Sequence, residues 1–561
     1  MTAHSEAAPG GQAVLHGIGV GAGSAAGPVA RMAGTPALPP PRTVTDPAAE
    51  SAAVRRAVAA VVADLDERAT RASGVAAEVL AAQAMMAADP VLADRAVELV
   101  GLGADGAHAL TAAYGEFRAG LAAAGGYFAE RTADLDDLRD RSVARLLGLP
   151  APGLPDPGHP YVLVAGDLAP ADTALLDPAR VLALVTERGG PTSHTAILAK
   201  ALGLPAVVGC PAAAGLTDGQ SVLVDGAAGT VEPGPSPEAV RRAAARDRLR
   251  RAQADAVSGP GRTADGHPVA LLVNLGAPHE LTRAAAADAE GVGLFRTEFL
   301  YLDRAQAPGL DEQSAAYGQV FDAFAGRRVV VRTLDAGADK PLPFVTAPDE
   351  ENPALGIRGL RTATRDPQLL ATQLAAVAAA ARGRSADVWV MAPMVSLPRE
   401  AEEFAALVRS HGLPVAGAMV EVPAAALRAG QLADVCDFLS IGTNDLAQYA
   451  FAADRTLGSL AELLDPWQPA LLDLVAATAR AGRERGRPVG VCGEAAADPA
   501  LALVLVGLGV TSLSAAPSCL GTLRAALAVH TLEDCAGLAA LALAAPDAAT
   551  GRAAVLGSLR G

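Results

Sequence analysis

The sequence of 561 residues predicts an α/β protein in two parts. A C-terminal (β/α)8 barrel is preceded by a smaller α/β domain that carries an inserted helical domain. Three observations carry this expectation. From about Thr263 onward, eight apolar runs alternate with helical stretches: VALLVNLG, GVGLFRTEF, RVVVRTLD, VWVMAPMV, PVAGAMVEV, DFLSIGTND, PVGVCGE and TSLSAAP. Eight such units in about 300 residues suit a closed parallel barrel. Polar residues collect at the carboxyl ends of these runs: Asn274, Arg296, Arg332, Glu421, Asn444 with Asp445, and Cys492. That rim is where barrel enzymes keep their chemistry. Finally, strand-type segments lie on both sides of a long stretch of helical period.

Taken in order, residues 13–31 (VLHGIGVGAGSAAGPVARM) read as short strands with glycine turns, and a Pro-rich connector, PALPPPRTVTDP, follows. Asp46 to Gly148 has apolar residues at spacings of three and four, with 16 acidic residues against 10 arginines. This acidic surface suits a solvated face, or a docking face for a basic partner. Strand signals return at YVLVAGDL, VLALVTERGG, PAVVGC and SVLVDGAAGTVEP, which complete the N-terminal strands. The expected domains are therefore 1–40 with 149–235, an insertion at 41–148, a linker helix at 236–262, and the barrel at 263–561. Gly234–Pro237, Gly259–Gly261 and the Pro-rich connector are candidate hinges.

Composition narrows the function. A net charge of −16 argues against coating nucleic-acid phosphates, and 3% aromatics argue against base-stacking platforms, so no nucleic-acid partner is expected. Hydrophobic residues at 51% supply large cores. Five scattered cysteines without a CxxC fit a reducing cytoplasm, and no basic start followed by an apolar run is seen. The uncharged stretch Ala500–Leu523 carries glycines, serines and a proline, so a helix, a turn and a buried strand are expected there, with no membrane insertion. Only two lysines occur, Lys200 and Lys340, and both lie inside motifs.

Four motifs carry chemistry. In ERGGPTSHTAILAKALGLPAVVG, His194 follows a Gly-Gly-Pro-Thr-Ser run and opens a helical pattern. A helix start favours an anion, and a largely neutral imidazole there suits carrying a phosphoryl group; a capping histidine without a chemical role fits the same context. GVGLFRTEFLYLDR, VRTLDAGADKPLPF and NPALGIRGLR hold Arg296, Arg332, Lys340, Arg358 and Arg361. Converging guanidiniums suit a phosphate and a carboxylate. MVEVPAAAL and DFLSIGTNDLAQYAFAADR place Glu421 and Asp445 at the ends of neighbouring strands. Two acids facing a phosphate call for a cation between them, and Mg²⁺ prefers one or two carboxylates plus substrate oxygens; structural salt bridges are the other reading. Asn444 and Arg455 suit the other end of the substrate. In PVGVCGEAAADP, Cys492 ends a strand and suits a nucleophile, an acid, or a buried small hydrophobe.

Together GGPTSHTAILAK, LFRTEFLYLDR, RTLDAGADK, SIGTNDLAQY and GVCGEAAADP closely resemble Enzyme I of the bacterial phosphoenolpyruvate:sugar phosphotransferase system, over nearly the whole chain. The resemblance implies a phosphohistidine α/β domain, an inserted domain that binds the phosphocarrier protein HPr, and a phosphoenolpyruvate-binding barrel that forms a homodimer. It implies that His194 attacks phosphoenolpyruvate, becomes phosphohistidine at Nε2, and passes the group to HPr. Arg296 and Arg332 would hold the phosphoryl group, with Lys340 and Arg358 in support. Asn444 and Arg455 would hold the carboxylate end, with the Asp445 backbone nearby. Glu421 and Asp445 would hold Mg²⁺, and Cys492 would protonate the enolate. Three departures stand out: Pro191 where Arg or Lys is common, Lys200 where Arg is common, and AQAMMAADP where relatives often place a Gly-His pair. The first two bear on charge near His194, and the third on carrier docking. A pyruvate phosphate dikinase or phosphoenolpyruvate synthase is the nearest alternative. Fewer than 200 residues precede His194, about 100 of them helical, and no Gly-rich nucleotide loop appears among them. A regulatory paralogue without catalysis is a further alternative, weakened by the joint presence of His194, Arg296, Arg332, Glu421, Asp445 and Cys492.

Overall fold

A computed structural model describes residues 13–21, 23–71, 80, 83–124, 132–150, 152–166, 168, 176–190, 195–196, 199, 202–302, 304–336, 342–346, 350, 352, 354–455 and 458–559. His194, Lys340, Pro191 and Lys200 lie outside them.

The N-terminal strands are β1 (Leu15–His16), β2 (Ile18–Val20), β3 (Ser24–Arg31), β4 (Tyr161–Ala165), β5 (Val181–Thr186), β6 (Ala206–Val208), β7 (Ser221–Asp225) and β8 (Thr230–Pro233). They form one sheet in the order β1-β8-β7-β3-β4-β5-β6-β2. β3 and β4 pair in parallel from Val29 opposite Val162, although about 130 residues separate them along the chain. The helices Pro47–Arg71, Pro90–Gly101, Gly106–Ala124 and Thr132–Leu147 all fall in that interval and enclose an apolar core of their own around Leu65, Leu110, Tyr114 and Leu138. Both faces of the central strands are covered, so YVLVA and VLALVT read as continuous apolar runs.

The barrel strands are β9 (Ala270–Leu275), β10 (Gly291–Phe295), β11 (Arg328–Arg332), β12 (Asp387–Ala392), β13 (Val415–Val420), β14 (Phe438–Ile441), β15 (Val489–Val491) and β16 (Ser512–Ala515). All neighbouring pairs are parallel, and β16 closes on β9 with Leu513 opposite Leu271. These are the eight runs read from the sequence. Asp-Pro pairs start several helices. Asp366 and Asp498 each accept two backbone N–H groups, while Pro367 and Pro499 occupy a position with no intrahelical bond to lose. The first part of Ala500–Leu523 belongs to the buried helix Pro499–Gly507, followed by a turn and β16. Among the described residues no single helix is long and apolar enough to cross a membrane.

The helix Pro237–Ala256 connects the two halves, and Ser24 N–H donates to its Asp247. Gly259–Gly261 does not suit a hinge. Gly259 N–H donates to Asp288 at 2.8 Å, its carbonyl accepts from Arg524 Nε at 2.8 Å, and Gly261 N–H donates to Glu290 at 3.0 Å. A Cβ on Gly261 would lie 2.2 Å from the Val269 carbonyl oxygen. This end of the linker is fastened to the barrel. Gly234, with φ +61° and open space where a Cβ would stand, is the freer point.

Candidate active site

The site is built where the strands of the barrel end. Arg332 is the last residue of β11, and alternation turns it inward with Arg328 and Val330. Its Nη2 lies 3.0 Å from Glu298 and its Nη1 3.4 Å from Asp335. The guanidinium is almost wholly buried, which by itself disfavours charge, but Glu298 and Asp335 outweigh burial and hold it firmly protonated. Its Nε has no protein partner among the described residues. A donor left over in a buried cation suits an anionic ligand.

Arg358 is 3% exposed and ties two acids together. Its Nη2 and Nε donate to Asp335 at 2.9 and 3.3 Å, and its Nη1 donates to Asp445 at 3.0 Å and to Tyr449 Oη at 3.2 Å. Burial opposes the charge of Arg358, and the two carboxylates more than restore it. Asp335 is likewise held below the usual carboxylate range, burial being overcome by Arg332 and Arg358. Arg455 Nη1 stands 3.9 Å from the second oxygen of Asp445. Arg358→Met is expected to lower the unfolding free energy by about 3–5 kcal/mol, because it removes the closest cation from two buried carboxylates and leaves Asp335 only Arg332 at 3.4 Å and Asp445 only Arg455 at 3.9 Å. Urea titration followed by circular dichroism checks this, and a loss under about 1 kcal/mol would contradict it.

Glu421 follows β13 and is 1% exposed. One oxygen accepts the Met394 N–H at 2.8 Å. Met394 has φ +58°, a conformation that costs a non-glycine residue about 1–3 kcal/mol and that here aims its N–H at the carboxylate. The other oxygen lies against Gly442, where a Cβ would stand 2.7 Å away. Burial, then Asp445 and Asp335, push the Glu421 carboxyl up to about 8. Excess negative charge of this kind is what a divalent cation relieves. No group of three or more acids, histidines or cysteines able to hold a metal occurs among the described residues. Two carboxylates completed by substrate oxygens is a donor set that Mg²⁺ accepts, so Glu421 and Asp445 fit that ion.

Asn444 stands beside Asp445 at the start of the helix Thr443–Ala450, and its side-chain oxygen accepts the Glu494 N–H at 3.3 Å. Arg296 follows β10, half-buried, its N–H bonded to the Leu275 carbonyl at 2.9 Å. Cys492 follows β15 and is 3% exposed; burial, with Glu421, pushes its thiol up to about 11. Asn274, next to last in β9, ties the strand ends together. It donates to the Cys492 and Ser514 carbonyls at 3.3 and 3.2 Å and so holds β9, β15 and β16 together.

The structure thus gathers Arg332, Arg358, Asp445 and Arg455 into one ion-pair cluster, with Glu421 in its field. Asp335 and Glu298 were missed from sequence. Both lie inside quoted motifs, Asp335 three residues beyond Arg332 in RTLDAGADK, and a cluster of buried guanidiniums is itself the signal that buried acids must be near. Gly190, four residues ahead of His194, lies against the barrel: a Cβ placed on it would come 3.0 Å from Ala461 Cβ, in the short helix Gly458–Leu464 beyond Arg455.

Residues 250–531 match the family "PEP-utilising enzyme, PEP-binding domain", residues 157–229 "PEP-utilising enzyme, mobile domain", and residues 16–131 "PEP-utilising enzyme, N-terminal". The chain is 54% identical over 555 residues to a phosphoenolpyruvate-protein phosphotransferase of Streptomyces coelicolor, a match that covers 98% of this chain and 100% of that one. It is 43% identical to a protein of the same name from Haloferax volcanii, covering 80% of this chain and 81% of that one. With the Bacillus subtilis protein of that name it shares 40% identity over 69% of this chain and 71% of that one.

Proposed function

The chain belongs to the family of phosphoenolpyruvate-protein phosphotransferases, transferases of phosphorus-containing groups, and from that premise we propose that it phosphorylates itself on His194 and hands the group to HPr, opening sugar uptake. The observation that carries this reading is the cluster of buried guanidiniums and carboxylates at one rim of the barrel, with Gly190, four residues ahead of His194 in sequence, close to Ala461 of the barrel segment. A match that spans all of the Streptomyces protein favours this over the dikinase alternative.

Phosphoenolpyruvate binds with its phosphoryl group toward Arg296 and Arg332, the latter offering its unpartnered Nε. Lys340 and Arg358 support that charge. Asn444 and Arg455 take the carboxylate end. Glu421 and Asp445 would hold Mg²⁺, which would supply neutralisation of the negative charge that develops during transfer. The His194 imidazole attacks phosphorus in line, forming the N–P bond as the bridging C–O–P bond to phosphorus breaks. Cys492, protonated throughout the neutral range, gives its proton to the methylene carbon of the enolate. So many cations beside so few nucleophiles suit a transfer in which positioning and charge neutralisation supply most of the acceleration. The phosphorylated chain then meets HPr on the acidic helical insertion, a homodimer forms through the barrels, and the reaction takes place in the cytoplasm.

Mass spectrometry of the chain after exposure to phosphoenolpyruvate and Mg²⁺, with no nucleotide present, tests the proposal. One added phosphoryl group on His194 is expected, and a requirement for ATP would overturn it.

His194 must meet both the barrel rim and HPr, which one rigid pose does not serve. A swivel about Gly234–Pro237 is expected. Paired labels on the two halves should give two distance populations that interchange with substrate. One unchanged distance during turnover would contradict the swivel.

A further inference from the structure

The interior of a (β/α)8 barrel is usually filled by branched apolar residues. Part of this one is. Leu294, Val330, Met391, Met419, Phe438 and Cys492 form a cluster distinct from the larger core between strands and helices. The sector under Cys492 adds small and polar residues to apolar ones such as Leu272, Val330 and Phe438. Ser440, Gly490, Ser512, Ser514 and Gly293 line a cavity of about 20 Å³ that reaches Cys492 itself.

Ser440 is the inward-facing residue of β14 next to the rim and is 5% exposed. Its hydroxyl donates to Cys492 Sγ at 3.3 Å. The thiol in turn donates to the Ile441 carbonyl at 3.6 Å, and the Cys492 N–H donates to that same carbonyl at 3.1 Å. The sulfur is therefore held from below by one hydroxyl donor, and no basic group shares that side of it among the residues lining the cavity except the distant Arg328 at the other end of β11.

We propose that Ser440 is a positioning residue for the protonation step, its hydroxyl holding the Cys492 sulfur in place and donating to the thiolate that forms as the proton leaves. The proposal rests on the reading of Cys492 as the proton donor. In that step the S–H bond breaks and its proton bonds to the methylene carbon of the enolate. The π electrons of the enolate form the new C–H bond as the carbonyl of pyruvate is restored. Sulfur keeps the electron pair of the broken bond. A hydrogen bond to this charged sulfur is stronger than one to the neutral thiol, so Ser440 acts more on the proton transfer than on the resting site. The thiol regains its proton from solvent once pyruvate has left.

The test compares Ser440→Ala, Ser440→Thr and Cys492→Ala in the full chain with Mg²⁺. One readout is exchange of the pyruvate methyl hydrogens for deuterium in D₂O, followed by NMR, which isolates proton transfer at carbon from phosphoryl transfer. The second is kcat and KM for pyruvate formation from phosphoenolpyruvate. Ser440→Ala is expected to slow methyl exchange and kcat by about 10- to 100-fold, the worth of a hydrogen bond to a charged group, with KM within about twofold of the parent. Ser440→Thr, which keeps the hydroxyl and has the adjoining cavity for its extra methyl, should restore most of both. If Cys492→Ala abolishes exchange while Ser440→Ala leaves it unchanged, the role of Ser440 is wrong and the donor stands. If Thr restores nothing, the hydroxyl is not the cause. If Cys492→Ala retains full exchange, the reading of Cys492 falls, and this inference with it.

Discussion

His194→Ala is expected to leave no acid-labile phosphate on the chain after exposure to phosphoenolpyruvate and Mg²⁺, and to reduce pyruvate formation to background. The loss is total because the phosphoryl group has no other acceptor in the proposed reaction. The barrel rim offers cations and carboxylates, and Cys492, the thiol at that rim among the described residues, is buried and held as a thiol. Removing the attacking nitrogen therefore differs in kind from removing a binding group, which lowers a rate without abolishing it. Binding should survive. The guanidiniums of Arg332 and Arg358 are anchored by Glu298, Asp335 and Asp445, all of them in the barrel segment, so calorimetry should still report phosphoenolpyruvate binding to the variant. The fold should survive too, with the unfolding midpoint within a few degrees of the parent. Phosphate retained on the variant in an acid-labile form would move the acceptor to another residue.

Much of this site was legible in the sequence because a parallel barrel has simple arithmetic. A strand such as RVVVRTLD is apolar until it reaches the rim, and the first polar residue beyond the run marks the mouth. Arg332, Glu421 and Cys492 were all found by that rule, and the structure puts each at the end of its strand. What the rule misses is the charge that balances these residues. Asp335 and Glu298 lie past the strand ends, where no periodicity marks them, and their importance comes from Arg332 and Arg358 being too buried to remain unpaired. The left-handed Met394, aimed at Glu421, was equally invisible, since methionine carries no signal for a positive φ. Asn274 lies near the end of its strand as read, and the bonds that tie it to the Cys492 and Ser514 carbonyls were not visible in the sequence. The glycines of Gly259–Gly261 looked like a hinge by composition, but in space they are fixed by Asp288, Glu290 and Arg524, up to 265 residues away in the chain.

Glu421→Gln and Asp445→Asn should each weaken divalent-cation binding and lower kcat/KM for phosphoenolpyruvate by about 10²- to 10³-fold, the scale set by loss of one charge-stabilising group at a transition state. The two substitutions are isosteric, so packing at these buried positions is preserved. Their consequences differ in one respect. Asp445 also accepts from Arg358 at 3.0 Å, so Asp445→Asn weakens an ion pair that Glu421→Gln leaves alone. Only the aspartate variant should therefore lose measurable stability. Binding of Mn²⁺ in place of Mg²⁺, read by electron paramagnetic resonance with phosphoenolpyruvate present, separates metal affinity from turnover. Both variants should need at least tenfold more Mn²⁺ for half-saturation. Transfer of phosphate backwards from phosphorylated HPr onto His194 makes no use of either carboxylate and should proceed at the parent rate in both. That contrast decides the matter: a variant that lost both reactions together would have lost its structure, whereas one that kept the parent titration with Mn²⁺ would remove that carboxylate from the metal site.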